Sequence, residues 1–451
     1  MNRRQFLEAL SLSSLGFMAL PSLVRADEED IASALFPVPT NTGISGTIVI
    51  VGGGMAGGTL AKYLRLWGGA GGNVTLIEKA PSYTSNIMSN KVLTGQMTLA
   101  DLNYVYDTLT SHYGVQLVSD TVTGIDTDAQ TVSLEGGGAS HRYDRLVLAP
   151  GLEFDLLPGM SSLTQYDDLI PHAWQAGPQT QLLRNQLLEL KSGAHSGDVV
   201  ITIPKAPYRC PPGPYERACV VADWLKSNKL ASKVIVLDAN ADILVERDNF
   251  AAAFNGTHGY TVNYRPNCQE LYIESVTNRT VSYVDVNGKQ QILTAGVLNP
   301  IPPQRAPQWL ADAGLYNPAA GERSVRVNVL SYESTQVPLV HVIGDASLTT
   351  QPKAGHIGNQ QAKICADAIL RLLQNQPLDP APVTNSACYT PITATTATWL
   401  SAVYQYDAKT GTMFIPSQHN GGGAISTSEP STDNYKDMQV WFKTLMADTF
   451  T

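Results

Sequence analysis

The stretch Thr47-Ile-Val-Ile-Val-Gly-Gly-Gly-Met-Ala-Gly57 decides the fold of this 451-residue chain. Its first five residues form the short apolar run of a buried strand, and the apolar periodicity from Leu60 to Leu66 indicates a helix directly after the glycines. Gly52, Gly54 and Gly57 have the Gly-x-Gly-x-x-Gly spacing, which lets backbone N–H groups approach a pyrophosphate at the start of that helix. The stretch therefore predicts a Rossmann-type dinucleotide site.

The end of the next predicted strand supports this site. Asn73-Val-Thr-Leu-Ile77 has the pattern of a second buried strand, and Glu78 follows it. A carboxylate about twenty residues beyond the last glycine accepts hydrogen bonds from both ribose hydroxyls of an adenosine and disfavours a 2′-phosphate. We expect Glu78 and its neighbour Lys79 to contact the cofactor, the alternative for Glu78 being an ordinary surface position.

Two later segments distinguish FAD from NAD. One is a predicted strand that runs into Ala149-Pro150-Gly151, and the other is a predicted strand, Val340–Ile343, that ends at Gly344-Asp345. Together with the first glycine-rich turn they resemble the two-domain flavoprotein disulfide reductases. The resemblance implies bound FAD, with Asp345 bonded to the ribityl chain and Ala149, Gly151 and Gly344 beside the cofactor.

A predicted helix that starts near Gly355, directly after Lys353, belongs to the same expected flavin site. Its N-terminus is expected to face the pyrimidine ring of the flavin, where the helix dipole stabilises negative charge. We therefore include Lys353 and Gly355 among the cofactor-binding residues. The alternative is an ordinary interdomain helix.

A different turn is expected in the middle of the chain, at Tyr208-Arg-Cys-Pro-Pro-Gly-Pro-Tyr-Glu-Arg-Ala-Cys219. A strand-like run enters this segment and an apolar-periodic helix leaves it, as in a second dinucleotide site. However, its prolines have no N–H to offer a phosphate, so we expect no NAD(P)H site here. Cys210 precedes the helix N-terminus, which favours a thiolate, and the segment therefore predicts sulfur chemistry.

The predicted fold is α/β, with two Rossmann-like domains of the glutathione-reductase type and a small C-terminal α+β domain. We expect a discontinuous FAD-binding domain over residues 27–155 and 290–380. The second Rossmann-like domain, without an NAD fingerprint, is expected over residues 156–289. A C-terminal flavin and interface domain is expected over residues 381–451.

Several segments resemble the flavoprotein subunit of flavocytochrome c sulfide dehydrogenase, and more distantly the sulfide:quinone oxidoreductases. The resemblance covers nearly the whole chain after residue 26. It is carried by the segment around Cys210 and by four others: Leu169–Gly177, Pro300–Ala306, Pro352–Lys363 and Asn385–Tyr389.

The family resemblance also implies a mechanism. Cys210 and Cys388 would form a redox-active disulfide beside the flavin. Hydrosulfide would attack one sulfur to give a persulfide, and electrons would pass through FAD to a separate c-type cytochrome. Glu216 would lie near the disulfide, either to handle protons or only to complement the helix dipole.

One residue departs from the family pattern. Members with covalently attached FAD carry a cysteine in the first flavin-facing loop, where this chain has Asn86. Asparagine forms no thioether, so we expect Asn86 to lie beside non-covalently bound FAD.

The N-terminal sequence predicts an export signal. Arg3-Arg4 precedes a short apolar stretch and a small-residue site at Ala26, so residues 1–26 resemble a twin-arginine signal peptide that is cleaved near Ala26. Known twin-arginine substrates imply a folded, periplasmic protein. The alternative is a membrane anchor, but the apolar stretch is short, and no later run is long enough to predict an integral membrane span.

Composition excludes one class of partner and gives no sign of a metal. The net charge is −9 and becomes more negative without residues 1–26, so nucleic acid is not an expected partner. The five cysteines are an odd number in a compartment that permits disulfides. Cys219 and Cys365 lie in apolar helical patterns and are expected to be buried thiols, and we assign no metal site.

Three functions remain compatible with the sequence. The first is a periplasmic sulfide dehydrogenase that reduces a c-type cytochrome. The second is a membrane-associated sulfide:quinone oxidoreductase, although the single predicted C-terminal helix is interrupted by Lys436 and Lys443. The third is a flavoprotein that does not oxidise sulfide and serves as a partner in a sulfur or metal pathway.

Overall fold

A computed structural model of the protein describes residues 44–137, 140–416 and 423–451. The predicted export signal, with Arg3, Arg4 and Ala26, lies outside the described residues. The helices are α1 (Met55–Gly68), α2 (Asn90–Thr94), α3 (Asp107–Ser111), α4 (Thr164–Asp168), α5 (Pro178–Ser192), α6 (Gly213–Ser227), α7 (Arg247–Ala252), α8 (Gln308–Asp312), α9 (Gly355–Leu373) and α10 (Thr432–Phe450).

The strands are distributed among these helices, and several follow one another without a helix between them. They are β1 (Gly46–Val51), β2 (Gly72–Ile77), β3 (Ser82–Thr84), β4 (Asn103–Val105), β5 (Gln116–Val118), β6 (Val122–Asp126), β7 (Thr131–Leu134), β8 (His141–Arg142), β9 (Arg145–Leu148), β10 (Glu153–Phe154), β11 (Val199–Ile203), β12 (Val234–Asp238), β13 (Val262–Arg265), β14 (Gln269–Ser275), β15 (Thr280–Val284), β16 (Gln290–Thr294), β17 (Val297–Pro300), β18 (Gln304–Arg305), β19 (Val325–Asn328), β20 (Glu333–Ser334), β21 (Val340–Val342), β22 (Ser347–Leu348), β23 (Val383–Pro391), β24 (Ala397–Asp407), β25 (Thr412–Phe414) and β26 (Gly423–Ser426).

The largest sheet has the order β22-β19-β20-β21-β9-β1-β2-β5. Its centre is parallel, because β1 pairs in parallel with β2 and β9, and β9 pairs in parallel with β21. The sheet therefore joins strands from two distant parts of the chain, and the turn after β1 lies beside the end of β21. This parallel centre, with α1 packed on it, confirms the predicted Rossmann-like architecture.

A second parallel sheet has the order β13-β12-β11-β17, and α6 follows β11. An antiparallel sheet of β14, β15 and β16 lies between these elements in sequence. After α9, the chain forms an antiparallel sheet in which β24 pairs with β23, β25 and β26, and α10 follows it. The α/β class with a small C-terminal α+β unit is thus confirmed.

The hydrophobic core joins the C-terminal helix to the helix that packs on the first sheet. Leu60 on α1 is fully buried and shares a core with Met438 and Phe442 on α10. The apolar face of α10 is therefore part of the core. Cys219 and Cys365 are also fully buried, which confirms their prediction as core thiols. Within the described ranges, no helix has the length and apolarity needed to cross a bilayer.

Candidate active site

The turn between β1 and α1 has the geometry of an anion-binding turn. A Cβ atom at Gly57 would lie 1.8 Å from the carbonyl oxygen of Gly52, so only glycine allows the helix to approach the strand this closely. Gly54 precedes α1 without a side-chain cap, and no acidic residue occupies the first turn. The first N–H groups of α1 are thus free of side-chain competition for a phosphate.

Glu78 lies directly beside this turn. Its carboxylate accepts hydrogen bonds from the N–H of Gly53 at 2.6 Å and of Ala80 at 2.9 Å. These bonds fix the acid at the end of β2, where an adenosine ribose would meet it. Lys79 is exposed next to it.

One cleft collects most of the residues predicted from the sequence. The predicted residues that line it are Gly54, Asn86, Ala149, Gly151, Cys210, Glu216, Gly344, Asp345, Gly355 and Cys388. Gly52, Gly57, Glu78, Lys79 and Lys353 are not part of this lining. Gly52 and Gly57 lie within the turn between β1 and α1. The Lys353 side chain is hydrogen-bonded to the backbone of the turn that carries Asp345.

Lys353 joins the cofactor side of the cleft to the sulfur side. Its ammonium group donates to the carbonyl oxygens of Asp345 and Ser347, and to Ser324 Oγ at 3.2 Å. Its own carbonyl oxygen accepts a hydrogen bond from the N–H of Cys210 at 2.8 Å. Lys353 therefore positions both loops and does not face the cleft.

Arg209 is a cleft residue that sequence reasoning missed. Its guanidinium Nη1 lies 3.4 Å from Asp345 Oδ2, and Nη2 donates to the carbonyl oxygen of Trp174. The contact joins residues 136 positions apart, and no local pattern indicates it. Its position next to Cys210 was the one available signal.

Cys210 is held in a left-handed backbone conformation, with φ of 57°. Its carbonyl oxygen accepts a hydrogen bond from the N–H of Gly213 at 2.9 Å. A Cβ atom at Gly213 would lie 2.9 Å from Cys210 Sγ and 2.8 Å from the Trp174 ring, so glycine is needed for the sulfur to pack at the start of α6. The backbone therefore fixes the position of the thiol.

Cys388 reaches the cleft from a strand. It lies in the middle of β23, in register with Leu400 of β24. Because alternate residues share a face of a strand, Cys388 lies on the same face as the buried residues Ser386 and Thr390. The fold thus brings Cys210 and Cys388 to one cleft, and all five cysteines of the chain are free thiols here.

The expected thiolate at Cys210 is not supported by the electrostatics. Burial raises the pKa of the Cys210 thiol above its ordinary value, and the nearby carboxylate of Glu216 raises this pKa further. Burial also raises the pKa of Cys388 to about 12. The prediction from the helix N-terminus is therefore wrong, because desolvation of the anion outweighs the helix dipole.

Glu216 belongs to a buried polar network at the floor of the cleft. Asn90 Nδ2 donates to Glu216 Oε1 at 2.8 Å, and Asn90 Oδ1 accepts from Arg217 Nε at 2.8 Å. Arg217 also donates to the carbonyl oxygens of His172 and Ala173. Asn90 and Arg217 were missed by sequence reasoning, although Arg217 is adjacent to Glu216.

Burial dominates the protonation of this network. Burial raises the pKa of Glu216 to about 7, against the opposing effects of the Asn90 hydrogen bond and the Arg217 charge. Burial also lowers the pKa of Arg217 to about 9. A carboxyl group with a pKa near neutrality, beside a thiol, is suited to proton transfer.

The residue in place of the family cysteine, Asn86, is engaged by the protein. Its Oδ1 accepts a hydrogen bond from the N–H of Ala176 at 2.7 Å. On the far side of the cleft, His356 Nδ1 accepts from the N–H of Ala387 at 3.0 Å, next to Cys388. His356 thus has a structural partner and fixes the backbone of β23.

These residues fit FAD. The α1 turn would hold the pyrophosphate, Glu78 the adenosine ribose and Asp345 the ribityl chain. The N-terminus of α9 at Gly355, which has no acidic residue in its first turn, would face the flavin ring. Both cysteines line the same space.

Family comparisons agree with this geometry. Residues 180–302 match the model described as sulfide dehydrogenase [flavocytochrome c] flavoprotein chain, central. Residues 380–450 match the flavin-binding model of flavocytochrome c sulphide dehydrogenase. Residues 46–187 match the model of pyridine nucleotide-disulphide oxidoreductase. The matched regions contain both cysteines and the first glycine-rich turn.

Solved structures share the fold at low sequence identity. The sulfide:quinone oxidoreductase from the hyperthermophilic bacterium Aquifex aeolicus has a TM-score of 0.70 and 19% identity, covering 90% of this chain and 92% of that chain. NDH2 from Plasmodium falciparum has a TM-score of 0.62 and 11% identity, covering 78% and 89%. An NAD-dependent persulfide reductase from A. fulgidus has a TM-score of 0.55 and 15% identity, covering 90% and 77%.

The flavin-binding match contains Cys388, which lines the cleft, and the central match contains Cys210 and Glu216. The cofactor is therefore FAD, and the chain is an oxidoreductase that acts on sulfur. Two of its three family-model matches, over residues 180–302 and 380–450, are to the flavoprotein chain of flavocytochrome c sulfide dehydrogenase.

Proposed function

We propose that this flavoprotein oxidises hydrosulfide in the periplasm through a reversible disulfide between Cys210 and Cys388, and that a separate c-type cytochrome is the final electron acceptor. Bound FAD would supply the redox chemistry between the disulfide and the cytochrome. The observation that carries the proposal is the shared cleft. Cys210 and Cys388 come from distant parts of the chain and line the same space as Asp345 and Gly355. The family matches support sulfide as the class of substrate.

The proposed chemistry begins with the disulfide. Hydrosulfide attacks one sulfur, so that a new S–S bond forms a cysteine persulfide and the other cysteine leaves as a thiolate. A second hydrosulfide takes the outer sulfur as a disulfane anion and leaves a thiol. Closure of the disulfide then releases one proton and two electrons. FAD, when bound, supplies the two-electron acceptor.

Glu216 is the proposed proton acceptor for this closure. Its carboxyl group lies in the same buried network as Asn90, and its raised pKa of about 7 lets it take or release a proton near neutrality. A role limited to the helix dipole is tested by Glu216→Gln. Sulfide turnover that is unchanged across pH in this variant would exclude the proton role.

The second Rossmann-like unit supports a function without NAD(P)H. The acid at the end of β12, Asp238, stands where a nucleotide-binding acid is expected, but its Oδ2 accepts from the hydroxyls of Tyr215 at 2.8 Å and Tyr264 at 2.9 Å. The turn before α6 also contains Pro211 and Pro212, which donate no N–H. The protein thus uses this unit to position sulfur.

Non-covalent attachment of FAD is part of the proposal. Asn86 lines the cleft and cannot form a thioether. Acid precipitation should therefore release the yellow colour into the supernatant. A precipitate that stays yellow would refute this part.

The periplasmic location rests on the twin-arginine pattern at Arg3-Arg4. Expression of the full chain in a bacterium should yield a periplasmic protein that begins after Ala26. Replacement of Arg3 and Arg4 by lysine should retain the chain in the cytoplasm. A periplasmic product from this variant would refute the twin-arginine route.

An anaerobic titration tests the function itself. Sulfide at micromolar concentration should bleach the bound flavin, and oxidised cytochrome c should restore the colour. Cys210→Ser and Cys388→Ser should abolish bleaching. Cys268→Ser is the matched control, because Cys268 is a buried thiol that donates to Arg265 O away from the cleft.

Each other outcome identifies another function. Recovery of colour with a soluble quinone analogue, and not with cytochrome c, would identify a quinone reductase. The absence of bleaching in the parent protein would identify a flavoprotein partner that does not oxidise sulfide.

A further inference from the structure

A second partly buried acid, Glu246, lies against the strand that carries Cys388. It directly precedes α7 in a left-handed backbone conformation, with φ of 49°, which is uncommon for a residue with a side chain. Its Oε2 accepts a hydrogen bond from Thr390 Oγ1 at 2.9 Å, and its Oε1 from Asn249 Nδ2 at 3.3 Å. These bonds hold the carboxyl group between α7 and β23.

The contact with Thr390 places this acid on the face of β23 that also carries Cys388. Cys388 and Thr390 are two residues apart on β23, so their side chains lie on the same face. Thr390 pairs with Thr398 across β23 and β24, and Thr398 also hydrogen bonds to Glu246. Two hydroxyls therefore fix the carboxyl group against the strand face that carries Cys388.

The surroundings of Glu246 favour the protonated form of its carboxyl group. Among the described residues no lysine or arginine forms an ion pair with Glu246, and burial raises the pKa of its carboxyl group. After burial, Glu246 is the strongest contributor to the raised pKa of Cys388, ahead of Glu216. For Cys210 the corresponding contributor is Glu216. The carboxylate with the largest effect therefore differs between the two cysteines, although Glu216 also acts on Cys388.

Other titratable groups also face Glu246 and Cys388. Glu246 faces the α6 residues Glu216 and Cys219, while Cys388 faces Glu216 and Cys210 of the central segment and Tyr404 of β24. The guanidinium of Arg247, adjacent in sequence, is bonded to Asp242 and Asp248 instead.

We propose that Glu246 accepts the proton of Cys388, as Glu216 accepts the proton of Cys210. The inference rests on the proposed function, because protons must move only if the cysteine pair turns over. The cysteine that leaves as a thiolate first takes a proton from its acid, so both cysteines are thiols before closure. Closure then forms one S–S bond, returns one proton to each acid and releases two electrons, which bound FAD would accept; the net release is one proton. Two separate acceptors avoid two protons on one carboxylate.

Two variants of the reduced, FAD-bound full chain, each lacking one of the two cysteines, test whether Glu246 acts on Cys388. Cys210→Ser leaves Cys388 as the reporter, and Cys388→Ser leaves Cys210. The rate of alkylation by iodoacetamide is measured against pH under anaerobic conditions, with each cysteine resolved by peptide mass spectrometry. The assay reports thiolate formation without sulfide turnover.

Glu246→Gln should lower the apparent pKa of Cys388 by about one unit, because a neighbouring negative charge is removed. Alkylation of Cys388 at neutral pH should then be about tenfold faster. The profile of Cys210 should not move. Glu246→Asp keeps the charge and should stay near the parent profile, which a merely structural role does not predict.

Two further variants keep the test decisive. Thr390→Val preserves shape but removes the hydrogen bond that stabilises the Glu246 carboxylate, so it should shift Cys388 in the same direction by less. Glu274→Gln is the matched control, because Glu274 accepts a hydroxyl hydrogen bond from Ser282 at 2.6 Å in a remote sheet.

An unchanged Cys388 profile in both Glu246→Gln and Thr390→Val would overturn the inference. Equal shifts at Cys210 and Cys388 would also overturn it, because they would show one shared acid. A parent protein that does not oxidise sulfide refutes the proposed function instead, and that result is read from the separate flavin titration.

Discussion

The two strand-to-helix turns of this molecule, after β1 and after β11, have the same place in their sheets and opposite chemistry. The first offers backbone N–H groups at Gly54 and keeps its helix close through Gly57. The second replaces these donors with Pro211 and Pro212 and places a sulfur atom in front of the helix. One backbone framework thus serves either phosphate or sulfur, depending on whether glycine or proline and cysteine occupy the turn.

The largest expected effect comes from filling the first turn. Gly57→Val should abolish FAD binding and destabilise the fold by ~3 kcal/mol or more, because its Cβ would lie 1.8 Å from Gly52 O. Flavin absorbance per protein and the thermal midpoint measure both effects. Gly124→Ala is the control, since no atom lies within 4 Å of its added Cβ. Flavin retention in Gly57→Val would show that the two turns differ less than proposed.

Filling the second turn should separate sulfur chemistry from cofactor binding. Gly213→Ala would place a Cβ 2.9 Å from Cys210 Sγ, which displaces the sulfur. We expect sulfide-dependent flavin reduction to fall by about a hundredfold while FAD stays bound. Stopped-flow bleaching measures the rate, with Gly256→Ala, another open position, for comparison. A parallel loss of FAD would argue against separate roles for the two turns.

The acid of the second turn should link stability to pH. Because the pKa of Glu216 is raised to about 7 in the fold, its contribution to stability is present below its ordinary pKa of 4.5 and is lost as pH rises through about 7. Glu216→Gln should therefore be more stable than the parent at pH 8 by up to ~3 kcal/mol, but not at pH 4. Urea unfolding at both pH values measures the difference. An equal difference at both would mean that Glu216 does not titrate in this range.

The smallest effect should come from giving the second turn glycines. Pro211→Gly, Pro212→Gly and Pro214→Gly together should not create NADH-dependent flavin reduction, because Asp238 stays bonded to Tyr215 and Tyr264. The flexible turn should cost ~1–3 kcal/mol of stability. Anaerobic NADH titration measures the first effect and chemical unfolding the second. Bleaching by NADH would show that prolines alone exclude the nucleotide.

Local patterns in the sequence were sufficient for the elements around both turns. The apolar run before Gly52 and the periodicity after Gly213 depend on neighbours in sequence, so they predicted the strands and helices. Arg209, Asn90 and Glu246 act through contacts between distant segments, which no single-sequence pattern encodes. The protonation of Cys210 was mispredicted for a related reason, because the helix N-terminus is local and visible, whereas burial depends on the whole fold.

The contact between α1 and α10 has a consequence for synthesis of the protein. Thr59 Oγ1 lies 3.1 Å from Thr449 Oγ1, a partner 390 residues later in the chain, and Tyr83 stacks on Phe450 at 5.3 Å between ring centroids. On the ribosome, the first turn must therefore remain without this cover until residue 450 has emerged. An interrupted product would expose apolar surface around α1 and become a target for chaperones and proteases before it can hold a reactive flavin.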